Sequence, residues 1–180
     1  MARLLHHRSC ARVLTAALAL ALSAAALPQA HAQGAPPPMP AESRQFDFWL
    51  GSWEVFAPDG KKVGENRVER IANGWGLAEH WTATAGGTGR SLNGWSLQRQ
   101  RWQQFWIGIG GTIELEGGLN ARGEMVMSSQ PLRRGNTVQI SRITWTPNAD
   151  GSVRQFWETS ADSGRTWTPS FDGLYKKRSN

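Results

Sequence analysis

Few side chains in this sequence are equipped for chemistry, and they are unevenly placed. The chain has 180 residues with four His and one Cys, yet His6, His7, His31 and Cys10 all fall within the first 32. From residue 33 onward there are no Cys, one His (His80) and all ten Trp. That inventory excludes disulfides, a thiol nucleophile, Cys-ligated zinc or iron–sulfur and any His-cluster metal site in this region, and no cofactor is expected. Two carboxylates, Glu79 and Glu158, lie in Trp-rich segments; a glycosidase needs such a pair facing one cleft about 5–9.5 Å apart. A Ser-His-Asp arrangement would have to use His80, and no Ser sits in a recognisable nucleophile turn. Glu114, Leu115 and Glu116 alternate as a half-exposed strand does, without the spacing of metal ligands.

Strands must position these residues. From Ser52 onward no stretch keeps helical spacing, while turn signals recur, among them Pro58-Asp59-Gly60, Asn73-Gly74, Gly86-Gly87, Arg134-Gly135-Asn136 and Asp162-Ser163-Gly164. Gly and Asn tolerate the positive φ of tight hairpins, so the punctuation predicts an antiparallel meander. Ten strands fit between the turns: 52–57, 61–71, 76–85, 90–97, 101–109, 112–118, 123–130, 136–146, 152–160 and 166–176. Closing them into an all-β barrel removes the long exposed edges that an open sheet of this width would leave. The segment 45–51 (QFDFWLG) is the one short helical turn.

Alternation then assigns faces. In the third strand Leu77, Glu79, Trp81 and Ala83 share a face, which turns His80 outward. Pairing Leu97 with Trp102 sets Trp95 opposite Gln104 and Asn93 opposite Trp106; a five-residue loop after Thr146 sets Trp145 opposite Val153 and Ile143 opposite Gln155. The predicted interior, and the candidate ligand site, is Glu79, Trp81, Asn93, Trp95, Gln104, Trp106, Gln155 and Trp157. A buried amide left unsatisfied costs about 1–3 kcal/mol, so these amides pair with one another and with water, or a ligand completes them. For Glu79 the plainer expectation is a bond to a buried Trp N–H or a neighbouring Arg.

The N-terminus reads as a secretory signal. Residues 1–12 are basic, 13–27 are apolar or small, and Ala30-His31-Ala32 has the small-x-small cleavage pattern, which places cleavage after Ala32. An apolar run of about 15 residues is short of the ~20 that span a bilayer. The expected organisation is a signal over 1–32, a Pro-rich linker over 33–44 and a barrel over 45–180, exported to a periplasm or beyond and with no membrane span in the mature chain. Beyond residue 32 there are 17 basic and 14 acidic side chains, scattered along the chain. Nucleic acid is therefore not an expected partner.

Residues 46–53, FDFWLGSW, place Gly51-Ser52-Trp53 at the start of the first strand. This resembles the G-x-W opening of the calycin barrels, which include lipocalins, fatty-acid-binding proteins and nitrobindins. The resemblance implies that Trp53 closes the barrel floor under a basic residue from Lys176, Lys177 or Arg178. More widely, FDFWLGSW, SLNGW, RITWTP and DGSVRQFWETS resemble, over residues 45–176, a family of exported bacterial domains of unknown function, although Trp95-Ser96 replaces the Tyr-Asp of that pattern. Nitrobindin-like barrels ligate haem through a late His, and no His follows His80. Ser160 to Trp167 is similar to the Asp-box S-x-D-x-G-x-T-W of sialidases and other propellers; with a single copy in one small domain, it is read as the turn joining the last two strands.

The leading expectation is an exported, cofactor-free, calycin-like barrel binding a small neutral or amphipathic molecule, such as a sugar, polyol or ring-containing lipid, against indole rings. One alternative is a barrel filled by its own side chains that acts through its surface as an envelope interaction module. Another is an enzyme using Glu79 with Arg142 or Gln104.

Overall fold

A computed structural model describes residues 38–178. The expected signal, residues 1–32, and the start of the expected linker lie outside the described residues. The strands are β1 (Gly51–Phe56), β2 (Lys62–Ile71), β3 (Gly76–Ala83), β4 (Thr88–Ser96), β5 (Arg101–Gly108), β6 (Gly111–Leu119), β7 (Met125–Ser128), β8 (Leu132–Arg134), β9 (Thr137–Pro147), β10 (Val153–Ser160) and β11 (Thr168–Lys177). Antiparallel neighbours run from β1 through β7, then β7 to β9, β9 to β10, β10 to β11 and β11 back to β1. Ten strands thus close an all-β barrel, as the meander predicts, and β8 is an additional strand paired with β9 alone.

The eleventh strand falls between the segments expected over 123–130 and 136–146, in a stretch read as a turn. Pro131 has no N–H to donate to a ladder and interrupts it. Between the pairs Ser128↔Arg142 and Leu132↔Gln139, one side advances four residues and the other three, so the strand bulges and resumes as β8. This break opens the barrel wall: β7 pairs with β6 only at Glu116 to Leu119, and among the described residues no strand pairs on that side of residues 111–115.

Two expected registers are off by two residues. Trp95 faces Trp102 and Asn93 faces Gln104, while Trp145 faces Gln155 and Ile143 faces Trp157. In the first hairpin the pair Ser96↔Arg101 closes the ladder, with Gln100 at φ 52 and its N–H donated to Ser96 O. In the second, Asp150 accepts the Ser152 N–H and the ladder extends to Pro147↔Val153. A slip of two keeps every side chain on its face, so the expected interior survives.

One end of the barrel is plugged. Phe46 stacks on Trp49 at 4.8 Å between centroids and meets the edges of Trp102 and Trp145 at 5.6 and 5.2 Å. All four are buried, each contributing roughly 1.5–3 kcal/mol by removal from water. Trp53 donates its indole N–H to Trp49 O at 3.0 Å, and Lys177 Nζ lies 5.5 Å from the Trp53 ring centroid. The floor Trp beneath a C-terminal basic residue is the arrangement the G-x-W resemblance implies. The end of the expected linker is not an extended tether: Ala41–Arg44 form a 3₁₀ turn with Ser43 buried, and Trp102 Nε1 donates to Glu42 O at 3.2 Å. The opposite end carries the hairpins at 84–87 and 161–167 and the projecting β8–β9 ribbon.

Candidate functional site

At mid-height a chain of hydrogen bonds crosses four strands. Gln104 Nε2 on β5 donates to Asn93 Oδ1 on β4 at 2.7 Å, and Asn93 Nδ2 donates to Ser91 Oγ at 2.9 Å. Ser91 donates to Glu79 Oε2 on β3 at 2.7 Å, and Asn66 Nδ2 on β2 donates to Glu79 Oε1 at 3.0 Å. Glu79 is 4% exposed. Burial pushes its carboxyl up to about 7, against the pull of the Ser91 and Asn66 bonds and of Arg90. Across the barrel the buried Tyr175 donates to Gln155, and its phenol is held well above its ordinary range by burial and by the charge of Glu79.

Above this layer the interior is aromatic, and glycines shape it. An ideal Cβ on Gly64 would lie 2.3 Å from the Trp81 ring, and one on Gly89 would lie 2.1 Å from the Trp106 ring. Each indole therefore rests on the backbone of the adjacent strand, a close approach that only glycine permits. Phe171 meets Trp81 edge-on at 6.0 Å.

Two adjacent spaces result. A small chamber of about 30 Å³ is lined by Glu79, Gln104, Trp106, Ile113, Ile143, Trp145, Gln155 and Trp157. That is room for one water-sized group. Outside it, where the wall opens beside β6, a cleft of about 500 Å³ runs between residues 109–114 and Ser129, Leu132, Gln139 and Ser141. This is within the range of small-molecule sites. Trp106, Ile113 and Trp157 line both spaces and so form the partition between them. The Nε1 atoms of Trp145 and Trp157 are buried and have no hydrogen-bond partner.

Of the eight candidate residues, Glu79, Gln104, Trp106, Gln155 and Trp157 line the chamber. Asn93 is one bond away through Gln104, and Trp81 stands in the aromatic layer against Phe171. Trp95 is placed elsewhere: opposite Trp102, half-buried against the core toward the plugged end. Asn66 and Ser91, which hold Glu79, were not among the expected residues; they follow from the same alternation, being two positions from Val68 and Asn93 on their strands. The Glu79 partners also differ from the expectation of a Trp N–H or an Arg, being an amide and a hydroxyl. Ser129, Gln139 and Ser141 line the cleft because of the bulge at Pro131, which alternation does not register.

Of the two partners suggested for Glu79 in acid–base chemistry, Gln104 shares the chamber with it and Arg142 does not. Arg142, suggested as a partner of Glu79, donates instead to Glu158 at 3.0 Å and lies over the Trp167 ring at 3.9 Å. Glu158 is on the alternate face of β10 from Gln155 and Trp157, so the wall separates it from Glu79. His80 faces outward and meets Glu69 at 2.9 Å. Among the described residues no group of three or more His, Cys, Asp or Glu is placed to hold a metal ion, and no helix is long and apolar enough to cross a membrane. The Asp-box segment joins β10 to β11. Asp162 accepts the N–H groups of Arg165 and Thr166 at 3.0 and 2.8 Å, and Ser163 donates to Val138 O, tying this turn to β9.

Comparison with protein-family models and with curated proteins returned no match.

Proposed function

We propose that this protein is an exported β-barrel that binds a small neutral or amphipathic molecule in the cleft beside β6. The observation that carries this reading is the partition: Trp106, Ile113 and Trp157 belong at once to an open cleft of ligand size and to a small chamber with Glu79, Gln104 and Gln155 in its wall. Indole faces with a few fixed polar groups behind them suit a ring or chain with a polar end. Export is supported by the basic, apolar and small-x-small pattern of residues 1–32. The likeness of residues 45–176 to exported bacterial domains of unknown function belongs to the same proposal.

Intrinsic fluorescence tests it, because the partition holds two of the indoles. Titration with a panel of lipids, polyols and glycans is expected to shift Trp emission for at least one class, and the shift should be lost in Ser141→Trp, which fills the cleft. Unchanged emission across the panel would overturn the proposal. A second reading has its own observation: the deep interior holds only about 30 Å³, and Gln104, Asn93 and Asn66 all donate to groups of the barrel itself. A barrel acting solely through its outer wall, where Leu92, Phe105 and Ile107 are exposed, would bind none of the panel.

A further inference from the structure

Two residues that line the chamber behind the partition carry unmet donors. Trp145 is 1% exposed, and its indole N–H, like that of Trp157, is buried without an acceptor. The same wall presents the Glu79 carboxylate, whose oxygens each accept one bond and retain further lone pairs. Among the described residues no Lys, Arg or His lines the chamber, whereas Glu79 does. An occupant must therefore be about the size of one water, accept from an indole N–H, donate to a carboxylate and carry no negative charge.

We infer that the chamber is the specificity subsite of the cleft and takes the terminal hydroxyl of an uncharged ligand, so that the protein binds alcohols and rejects the corresponding carboxylates. This rests on the cleft-binding reading above. An alcohol oxygen accepts from an indole N–H while its proton goes to Glu79, which replaces the bonds a water would make there. A carboxylate would satisfy the indoles but confront Glu79 in a chamber lined by no cation among the described residues, where like charges are poorly screened. An ammonium would meet the carboxylate and leave both indoles unpaired. Facing Glu79 from the packed strands are Asn66, Ser91 and Asn93, which do not titrate, and Tyr175, which stays protonated; Arg90 acts from the outer face of β4.

The test uses two matched series at pH 8, 1-decanol with decanoate and decylamine, and benzyl alcohol with benzoate and benzylamine, followed by Trp fluorescence and calorimetry. The alcohol of at least one series is expected to bind roughly tenfold or more tighter than its carboxylate and its amine. In the unaltered protein the gap to the carboxylate should narrow from pH 8 to pH 6, as Glu79 takes up a proton. It should also narrow in Glu79→Gln, while Trp157→Phe should weaken the alcohol selectively. Equal binding of alcohol and carboxylate, with no response to pH, would overturn the subsite and leave cleft binding standing. Tighter binding of the amine would overturn it in favour of a cation site. No binding by either alcohol, with other members of the panel binding, would also overturn it; no binding by any compound would remove the cleft reading as well.

Discussion

Trp106 lies on Gly89, with its ring 2.1 Å from where a β-carbon of residue 89 would be. The contact is diagonal, since the register partner of Trp106 is Ser91. It fixes the indole that separates cleft from chamber, and it couples a residue without a side chain to the shape of the site.

Gly89→Ala should therefore displace the Trp106 ring and cost about 1–3 kcal/mol, the usual penalty of forcing atoms into a packed interior. Urea denaturation measures the loss, and the emission maximum reports the moved indole. Gly64→Ala should act in the same way on Trp81. Gly118→Ala, where a β-carbon meets nothing within 4 Å, is the control and should leave stability within about 0.5 kcal/mol.

Glu79 makes stability fall with rising pH. Its folded pKa, about 7, lies above the ordinary 4.5, so the folded state holds a proton that the unfolded state has released between those values. The contribution is fully present below about pH 4.5 and lost as pH rises through about 7, a change on the order of 3 kcal/mol. Glu79→Gln cannot titrate and should flatten this part of the profile. Denaturant midpoints at pH 5, 6, 7 and 8 check it; parallel profiles for the two proteins would contradict it.

The interior was legible in the sequence because its residues alternate. Leu77, Glu79 and Trp81 on β3, and Gln104 and Trp106 on β5, face inward as period two requires, and a two-residue error in register left them there. What alternation does not carry is partner identity across strands. Asn66 and Ser91 became the partners of Glu79 through a stagger fixed by the β2–β3 and β3–β4 turns, which the Trp75 N–H closes on Ala72 O and the Ala83 N–H on Gly87 O. Trp95 shares the inward parity of Asn93, but it sits one layer lower, where the plug is. The cleft itself comes from Pro131, which reads as a strand breaker without showing that the break opens the wall.

The Asp-box turn should matter for the cleft without touching it. Asp162 is held far below the usual carboxylate range by the Thr166 N–H and hydroxyl and by Ser160, so its anchoring is present at neutral pH and lost only in strong acid. Asp162→Ala releases these bonds and loosens the turn that Ser163 ties to Val138 on β9. A lower melting temperature is expected, together with faster hydrogen exchange at residues 137–141; unchanged exchange there would contradict the bracing role.

Cleavage after Ala32 would give a mature chain beginning at Gln33. Intact mass of the protein recovered from the cell envelope or medium should match residues 33–180. Recovery there of the full chain beginning at Met1 would contradict a cleaved signal.

The central claim, that the barrel carries a small molecule across the Trp106–Ile113–Trp157 partition, is tested most directly by native mass spectrometry of the protein purified from its own source. A discrete added mass that dissociates at low collision energy, and that is absent in Trp157→Ala of intact fold, is the expected result. Bare protein in every preparation, with no added mass after incubation with alcohols, lipids or glycans, would contradict it.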